Sequence, residues 1–452
     1  MRQNRKSMLQ RFNQYIATNH LADRSQKILL AVSGGADSVA MLDLFAKAGF
    51  NIAISHVNFH LRGADSNRDE DFVRSLALKY NVQIFVKSFD TQSYAAEKHI
   101  SIEMAARELR YAEFEQIMDN HGFAVTAVAH HIDDAIETFM LNLLRGTGIS
   151  GLTGMHNQNG RIIRPMLCFS RRDIEKYVQD CGLQYVTDVT NFETEFSRNK
   201  IRNCVAPYFE QINPSYRNSF AETFTYLQQV KAIYYKEIED QKRRITRTVG
   251  GETFVSIPEL LQYPQKEALM FEILRQYGFN KTQSSQILNT ADAESGKTFV
   301  GSGYRLVKDR NMFIISHLDA ADNGQEVLLG REVIETGEYR GDGCVLRFDI
   351  IPKTDFSPER DSSTAYFDFD CIEFPLVLRR WRSGDTMVPF GRRQPKKLSD
   401  IFIGDKLTLL QKERVPILCS GAKIIWAVGI RASDTFKVTS KTSRILRIIS
   451  KL

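Results

Sequence analysis

The chain has 452 residues, 43% of them hydrophobic and 25% charged, and a formal net charge of +6. This composition predicts a globular protein of about three domains and excludes fibrous and low-complexity classes. The six cysteines include no Cys-x-x-Cys pair, which argues against a disulfide scaffold, a zinc knuckle or an iron–sulfur cluster. We find no signal-peptide core and no apolar run of about 20 residues, so we expect a cytoplasmic protein with no membrane partner. The mild positive charge suits a polyanionic partner without requiring one.

Near the N-terminus, an apolar, strand-like run breaks into a turn of small residues and resumes with helical periodicity. The turn has the sequence Ser33-Gly34-Gly35-Ala36-Asp37-Ser38. Glycines let the backbone approach a ligand, and the next helix offers free N–H groups, so the segment predicts a phosphate cradle. Asp37 would repel phosphate unless a divalent cation lay between them, which predicts Mg²⁺. The segment matches neither a Walker loop nor a dinucleotide-binding loop, and a plain Gly-Gly turn is the alternative.

Residues 1–215 alternate strand and helix patterns. The predicted strands span 28–32, 52–57, 82–86 and 125–129, and the predicted helices span 39–48, 69–80, 104–120 and 134–144. This alternation predicts an α/β fold with a doubly wound parallel sheet, which binds ligands at the carboxyl ends of its strands. The cradle, His56 and the pair His130-His131 each follow a predicted strand. We therefore expect them at one edge of the sheet.

Two of the segments after predicted strands have open interpretations. His56 and His60 lie four residues apart, a spacing compatible with a zinc pair, but no third ligand is evident. Glu103, Arg107 and Arg110 fall on one face of a predicted helix. That face either contacts a substrate or forms a solvated row of salt bridges.

The segment after the fourth strand is the richest in charge. It reads Ala129-His130-His131-Ile132-Asp133-Asp134-Ala135-Ile136-Glu137-Thr138. Asp134 and Glu137 lie three residues apart at the start of a predicted helix and face the same way. Helix capping explains one acid. It explains neither the further acids nor the paired histidines, so the segment is a candidate ligand site.

Beyond residue 215 the alternation of strands and helices ends. Apolar residues at helical spacing predict a long connecting helix over 218–247, closed by Gly250-Gly251. A second helical stretch is predicted over 257–277. These segments predict a helical middle domain over 216–318.

A polar stretch at 319–325 predicts a linker to a β-rich α+β C-terminal domain over 330–452. Two segments there, 378–385 and 391–400, mix basic residues with turns and Trp381. Such patches attract phosphate backbones without reading sequence, although a charge run is usually only a solvated face. Both interpretations stay open at this point.

Five segments of the chain together resemble the signatures of bacterial tRNA(Ile)-lysidine synthases, in the PP-loop ATP pyrophosphatase superfamily. They read SGGADS, HVNFHLR, MAARELRY, AHHIDDAIETFMLNLLRGTG and DVTNFETEFSRNKIR, and they cover most of residues 28–202. One departure is Ala135, where the resemblance leads us to expect glutamine. The resemblance implies a PP-loop catalytic domain over 1–215 and tRNA-binding domains over 216–318 and 330–452.

The resemblance also implies a reaction. It is the ATP-dependent joining of the side-chain amine of free L-lysine to carbon 2 of the wobble cytidine in tRNA(Ile) with a CAU anticodon. The reaction passes through an adenylated tRNA and releases AMP and pyrophosphate. It changes codon reading from AUG to AUA and the identity of the tRNA from methionine to isoleucine. ATP and Mg²⁺ are thus the implied small-molecule requirements beside tRNA and lysine.

The same resemblance assigns roles to residues. Asp37 holds Mg²⁺ on the pyrophosphate, and Asp134 and Glu137 bind the lysine cation, with one of the two acids taking its proton. The implied catalytic residues are Asp37, Asp134, Glu137, Arg107 and Arg202. The implied ATP-binding residues are Ser33, Gly34, Gly35, Ala36, Asp37, Ser38, His56 and His130. Arg110 and Arg198 are further candidates for phosphate or tRNA contact.

Other functions stay open from the sequence. The PP-loop also serves tRNA thiolases, amidotransferase synthetases and argininosuccinate synthase. The missing Cys-x-x-Cys disfavours a cluster-dependent thiolase, and the missing N-terminal nucleophilic cysteine disfavours a glutamine-fed enzyme. An RNA-binding module without catalysis, or a structural scaffold, would leave Asp37, Asp134 and Glu137 unexplained. The sequence does not fix the oligomeric state, and a homodimer is compatible with it.

Overall fold

The computed structural model describes residues 6–61, 63–186, 197–318, 326–341, 344–357 and 361–451. The chain packs as two compact units, residues 1–235 and 236–452. The predicted linker at 319–325, and residues 188–196 of the fifth motif, lie outside the described residues. None of the described helices is both long and apolar enough to cross a lipid bilayer.

The N-terminal unit is a six-stranded, mostly parallel sheet flanked by helices. Its strands are β1 (Lys27–Ala31), β2 (Asn51–Asn58), β3 (Gln83–Ser88), β4 (Val125–Ala127), β5 (Gln158–Asn159) and β6 (Ile162–Ile163). Its helices are α1 (Met8–Thr18), α2 (Ala36–Lys47), α3 (Ala64–Tyr80), α4 (Thr91–Lys98), α5 (Ile102–His121), α6 (Ile132–Arg145), α7 (Arg171–Asp180), α8 (Ser197–Lys200) and α9 (Ala206–Ile212). Helix α10 (Tyr216–Ile245) begins in this unit, and its last residues belong to the C-terminal unit. The strand order is β3-β2-β1-β4-β6-β5, and β5 is the antiparallel strand.

Apolar cores cover both faces of this sheet, as a doubly wound fold requires. Ile28 and Leu30 of β1 pack in one core, whereas Leu29 packs in the other with Phe114 and Met118 of α5. Strands β1 and β4 are neighbours in the sheet, although β2 and β3 lie between them in the sequence. This reversal of strand order opens a crevice at the carboxyl ends of β1 and β4, where such folds bind ligands.

The predicted doubly wound parallel sheet is confirmed. Each predicted strand begins and ends within two residues of an observed one. Helix α3 begins earlier than predicted, at Ala64 rather than residue 69. The short strands β5 and β6 are not predicted, because two residues carry no periodicity.

The C-terminal unit begins with an antiparallel sheet that the sequence does not predict. Its strands are β7 (Thr246–Val249), β8 (Glu252–Ser256), β9 (Thr298–Val300), β10 (Tyr304–Asp309) and β11 (Met312–His317), in the order β7-β8-β11-β10-β9. The helices of this region are α11 (Ile257–Leu260), α12 (Lys266–Leu274) and α13 (Lys281–Leu288).

Two details of the middle-region prediction are corrected here. Gly250 and Gly251, expected to close a helix, have positive φ angles of 58° and 79° and form the two-residue turn between β7 and β8. The helical stretch over 257–277 is divided after α11, where Pro264 cannot continue a helix.

The remainder of this unit is β-rich, as predicted. Its strands are β12 (Val327–Leu329), β13 (Glu338–Gly341), β14 (Cys344–Pro352), β15 (Thr364–Asp368), β16 (Leu376–Arg380), β17 (Thr386–Met387), β18 (Lys396–Lys397), β19 (Pro416–Ser420), β20 (Lys423–Ala427), β21 (Arg431–Ala432) and β22 (Arg444–Lys451). Its helices are α14 (Glu332–Thr336), α15 (Leu398–Gly404) and α16 (Leu409–Arg414). Sheets β12-β16-β19-β20-β21 and β13-β14-β22-β15 share an apolar core that contains Phe367 and Trp426. The three-domain division stays a prediction.

Candidate active site

The turn between β1 and α2 has the backbone geometry of a phosphate cradle. Gly34 has a positive φ of 95°, and an added Cβ would lie 3.4 Å from Phe72 and Val73, so glycine is favoured here. The Ser38 hydroxyl accepts the Gly34 N–H at 3.2 Å and donates to the Gly35 carbonyl at 2.9 Å, which fixes the loop. Within the described residues, no side chain caps α2. Its first N–H groups can therefore bind an anion.

A cavity of about 330 Å³ opens at the carboxyl ends of β1, β2 and β4. It brings together seven of the predicted residues, namely Ser33, Gly35, Asp37, Ser38, Arg110, His130 and Asp134. The buried Oγ of Ser55 and Nδ1 of His130, both in its wall, have no hydrogen-bond partner among the described residues. Because an unpaired buried polar atom costs free energy, these two atoms point to a polar ligand.

The acid pair expected to bind lysine lies on the first turns of α6, where arginines hold it. Glu137 is only 3% exposed, and both its oxygens accept hydrogen bonds from Arg202, at 2.7 and 3.1 Å. Arg202 also lies 3.5 Å from Asp134, and Arg198 lies 3.4 Å from Glu137. Burial raises the pKa of Glu137, although Arg202 opposes the shift. Burial acts in the same direction on Asp134, but the charge of His131 and further neighbours outweighs it and lowers the pKa.

Asp37 and Asp134 meet across the buried ring of His131. The Nε2 atom of His131 lies 3.8 Å from an oxygen of Asp37 and 3.6 Å from an oxygen of Asp134. Its Nδ1 accepts the Asp134 N–H and so caps α6. Burial raises the pKa of Asp37, and the negative charge of Asp134 adds to this against the opposing charges of His131 and Arg171. A cation bound to Asp37 would relieve this repulsion.

Arg107 and Arg110 of α5 stand beside aromatic rings of the cavity wall. The Arg107 guanidinium lies 4.9 Å from the ring centroid of Tyr111, and that of Arg110 lies 5.2 Å from the ring centroid of Phe59. Among the described residues, neither arginine forms an ion pair with a carboxylate, so the row of salt bridges that Glu103 would join is not formed. Arginines left without acids beside a polar cavity favour an anionic ligand.

His56 does not line the cavity. Side chains alternate along β2, so Ser55 and Val57 face the cavity while His56 faces the other side of the sheet. There, its Nδ1 lies 2.9 Å from the carbonyl oxygen of Val32. This position does not support the predicted role of His56 in binding ATP, and the alternation could have identified Ser55 instead.

A link between Asp133 and Arg217 is the part of the site that the sequence does not predict. One oxygen of Asp133 accepts a hydrogen bond from Arg217 of α10 at 2.6 Å, and the other accepts the N–H of Arg171 at the start of α7 at 2.9 Å. These contacts tie the start of α6 to two other helices. The partners lie 84 and 38 residues away along the chain, a separation that no local pattern reveals.

Comparison with known families agrees with this geometry. Residues 4–209 match the PP-loop domain family. The N-terminal unit, with its cradle at the end of β1, is therefore a PP-loop ATP-binding domain. Residues 248–318 match the TilS substrate binding domain, and residues 376–449 match the TilS substrate C-terminal domain.

Relatives of the chain extend over nearly its whole length. It is 43% identical over 437 residues to a tRNA(Ile)-lysidine synthase of Bacteroides thetaiotaomicron, covering 97% of this chain and 98% of that one. It is 40% identical over 444 residues to the tRNA(Ile)-lysidine synthase of Parabacteroides distasonis, covering 97% and 99%. The chain thus belongs to the tRNA(Ile)-lysidine synthase family, and it is an ATP-dependent ligase. The resemblance seen in the sequence is confirmed, and the thiolase and non-catalytic alternatives are set aside.

Proposed function

We propose that this enzyme joins the side-chain amine of free L-lysine to carbon 2 of the wobble cytidine in tRNA(Ile) with a CAU anticodon. One observation carries the proposal: Asp37 of the cradle and Asp134 of the acid pair line the same cavity. The reaction needs a site for ATP phosphates and a site for a cationic amino acid side by side. The shared position of the two acids at the crevice between β1 and β4 supports the proposal that the crevice holds both sites.

In the first half-reaction, the oxygen on carbon 2 of cytosine attacks the α-phosphorus of ATP, and pyrophosphate leaves. The N–H groups at the start of α2, with the hydroxyls of Ser33 and Ser38, would bind the phosphates. Arg107 and Arg110 would stabilise the charge that develops on the transferred phosphate. Burial lowers the pKa of His130 to about 4, so a neutral imidazole would orient the base or ATP.

Mg²⁺ fits the residues of the cradle. This ion takes oxygen ligands, usually one or two carboxylates completed by phosphate and water. Asp37 is such a carboxylate, and the described residues contain no cluster of three or more His, Cys, Asp or Glu that would hold a metal without a substrate. The phosphates of ATP would complete the coordination, and the bound ion would neutralise charge on the leaving pyrophosphate.

In the second half-reaction, the neutral amine of lysine attacks carbon 2, and AMP leaves with the oxygen. Asp134 and Glu137 would hold the lysine ammonium group, and its proton would pass to one of them. The raised pKa of Glu137 makes it the stronger base of the two. Because Arg202 holds both acids in the structure, lysine would displace it. The released guanidinium would then contact the phosphate of AMP.

We assign part of the tRNA grip to a groove of about 580 Å³ in the C-terminal unit, whose lining includes Arg392, Arg393, Lys396 and Phe390. Arg431 also lines the groove and pairs with Asp405 at 3.5 Å. Cations bind the phosphate backbone, and the ring of Phe390, which is 61% exposed, can stack on a base. A grip away from the anticodon makes physical sense, because the methionine elongator tRNA shares the CAU anticodon. The homodimer and the cytoplasmic location stay predictions.

Exchange of radiolabelled pyrophosphate into ATP, measured without lysine, tests the adenylation step. We expect exchange only when tRNA(Ile) with a CAU anticodon is present, because the tRNA is the group that is adenylated. The Asp37→Asn variant should abolish it. Exchange that does not depend on tRNA would contradict the proposal.

A further inference from the structure

Arg164 is a buried arginine to which the proposed reaction gives no role. It follows β6, a strand parallel to β4, so it lies at the edge of the sheet that carries the cradle. The residue is only 8% exposed. Its Nη1 donates to the carbonyl oxygen of His156 at 2.9 Å. Its buried Nε has no hydrogen-bond partner among the described residues.

The charge of Arg164 is not balanced by an acid. Within the described part of the chain, no carboxylate lies within ion-pair distance of its guanidinium, and burial lowers its pKa. Nearby Arg161 differs, because it pairs with Glu115 and Asp119 at 3.2 and 2.6 Å. A buried charge without a partner is costly. A role beyond packing would explain why the charge is kept.

Two residues of the cavity wall lie close to Arg164. Ile163 pairs with Ala127, and its carbonyl oxygen accepts the Val128 N–H at 3.0 Å, so Arg164 lies beside the segment that leads to His130. Burial lowers the pKa of Arg164, and Tyr111, which lines the cavity, opposes this shift. His130 lines the same cavity and lies within the electrostatic influence of Arg164. The guanidinium is therefore close to two side chains of the cavity wall, one of which, His130, has a role in the proposed reaction.

We propose that Arg164 is a positioning residue for adenylation, which fixes Tyr111 in the cavity wall and sets a positive charge beside His130. It acts through these two side chains and does not touch the substrate. The kinetic test of this role rests on the proposed function, because it measures pyrophosphate release. The Nδ1 atom of His130, which has no partner among the described residues, would be the group offered to the substrate.

The charges that face His130 come from four elements. They are Asp134 on α6, Arg164 after β6, Arg198 on α8 and Arg107 on α5. Burial is the main cause of the low pKa of His130, the three arginines lower it further, and Asp134 opposes them. Removing the charge of Arg164 therefore raises the pKa of His130. Its imidazole then becomes protonated at a higher pH than in the wild type.

A double-mutant cycle between Arg164→Met and His130→Ala separates positioning from packing. The assay is tRNA-dependent release of pyrophosphate. We expect Arg164→Met to lower kcat about tenfold and to change the KM for ATP less than about twofold. In the His130→Ala background it should cause little further loss. Independent, multiplicative losses would overturn the proposal.

Arg161→Met is the matched control for this cycle. It removes an arginine three positions away that pairs with Glu115 and Asp119. We expect a lower Tm with unchanged kcat. A loss of kcat equal to that of Arg164→Met would show that any arginine of this segment acts through packing, and would overturn the proposal.

NMR titration of His130 in histidine-labelled enzyme gives a readout that needs no activity. We expect the titration of His130 to move to higher pH in Arg164→Met and to stay near the wild-type position in Arg164→Lys, which keeps the charge but not the planar guanidinium. An unmoved titration in Arg164→Met would overturn the proposal. If that variant does not fold, Arg164→Gln removes the charge while keeping a donor for the His156 carbonyl. Failure of the wild type to release pyrophosphate would instead count against the proposed function.

Discussion

The two units of the chain use positive charge in opposite ways. Around the cavity of the N-terminal unit, Arg202 is held by two acids, and Arg164 is buried without one among the described residues. In the groove of the C-terminal unit, Arg392, Arg393 and Lys396 are exposed. Buried charges act at fixed positions, whereas exposed charges attract a polyanion and exchange contacts easily. Losses in the first region should therefore appear in kcat or the KM for lysine, and losses in the second in tRNA binding.

The largest loss is expected at the cradle. Asp37→Asn keeps the size of the side chain but removes the charge that would hold Mg²⁺, so lysine incorporation should fall at least about 100-fold. Because burial raises the pKa of Asp37, the uncharged variant should be at least as stable as the wild type. Activity is measured by lysine incorporation and stability by thermal unfolding. A variant that keeps more than about a tenth of wild-type activity would remove Asp37 from the chemistry.

The next largest effect is expected at the acid pair. Glu137→Gln removes one charge from the group proposed to bind the lysine ammonium, so the KM for lysine should rise about 10- to 100-fold. The KM for ATP should change little. Steady-state kinetics with each substrate varied in turn would measure both. Glu175→Gln is the matched control, since Glu175 is exposed and pairs with Arg171 on α7. An unchanged KM for lysine would place the lysine pocket elsewhere.

A smaller effect is expected in the groove of the C-terminal unit. Replacing Arg392, Arg393 and Lys396 together by alanine should raise the KM for tRNA about tenfold. The slope of log affinity against log salt concentration should fall by an amount that corresponds to about two to three phosphate contacts. The kcat at saturating tRNA should not change, because no reacting group is lost. The matched control replaces three exposed lysines outside this groove, namely Lys423, Lys441 and Lys451. Equal losses in both triple variants would mean that net charge alone matters.

The smallest effect is expected at the link between α6 and α10. Asp133→Asn removes the ion pair with Arg217 but keeps an acceptor for the Arg171 N–H. Both partners are partly exposed, so we expect a loss of about 1–2 kcal/mol in the free energy of unfolding. Thermal unfolding would show this as a drop of a few degrees in Tm. If the two residues stabilise the protein only through their ion pair, the double variant Asp133→Asn and Arg217→Gln should be no less stable than the less stable of the two single variants.

The sequence predicts the N-terminal sheet well because its strands are buried and bounded by turns, as with the run that ends at Ala31. The prediction from the sequence is wrong at two points of the middle region. Gly250 and Gly251 suit a helix end as well as a hairpin turn, and composition does not separate the two. Pro264 interrupts the helix predicted over 257–277, because proline lacks the backbone N–H that a helix interior needs.

The site is predicted less completely than the sheet. Residues that follow strands, such as Asp37 and His130, are found because parallel strands end at one edge. His56 follows the same strand pattern but faces away from the cavity, because side chains alternate along β2. The hold of Arg202 on Glu137 spans 65 residues of chain, and the lack of an acid near Arg164 follows from tertiary packing. No pattern of neighbouring residues in the sequence predicts either feature.

The nucleophile and the tRNA together define the proposed reaction. Transfer of radiolabelled lysine onto unmodified tRNA(Ile) with a CAU anticodon, in the presence of ATP and Mg²⁺, tests it most directly. The methionine elongator tRNA, which carries the same anticodon, is the control. We predict stable incorporation into the isoleucine tRNA alone. Release of pyrophosphate with tRNA but without lysine transfer would rule out lysine as the nucleophile, because adenylation would then serve a different one.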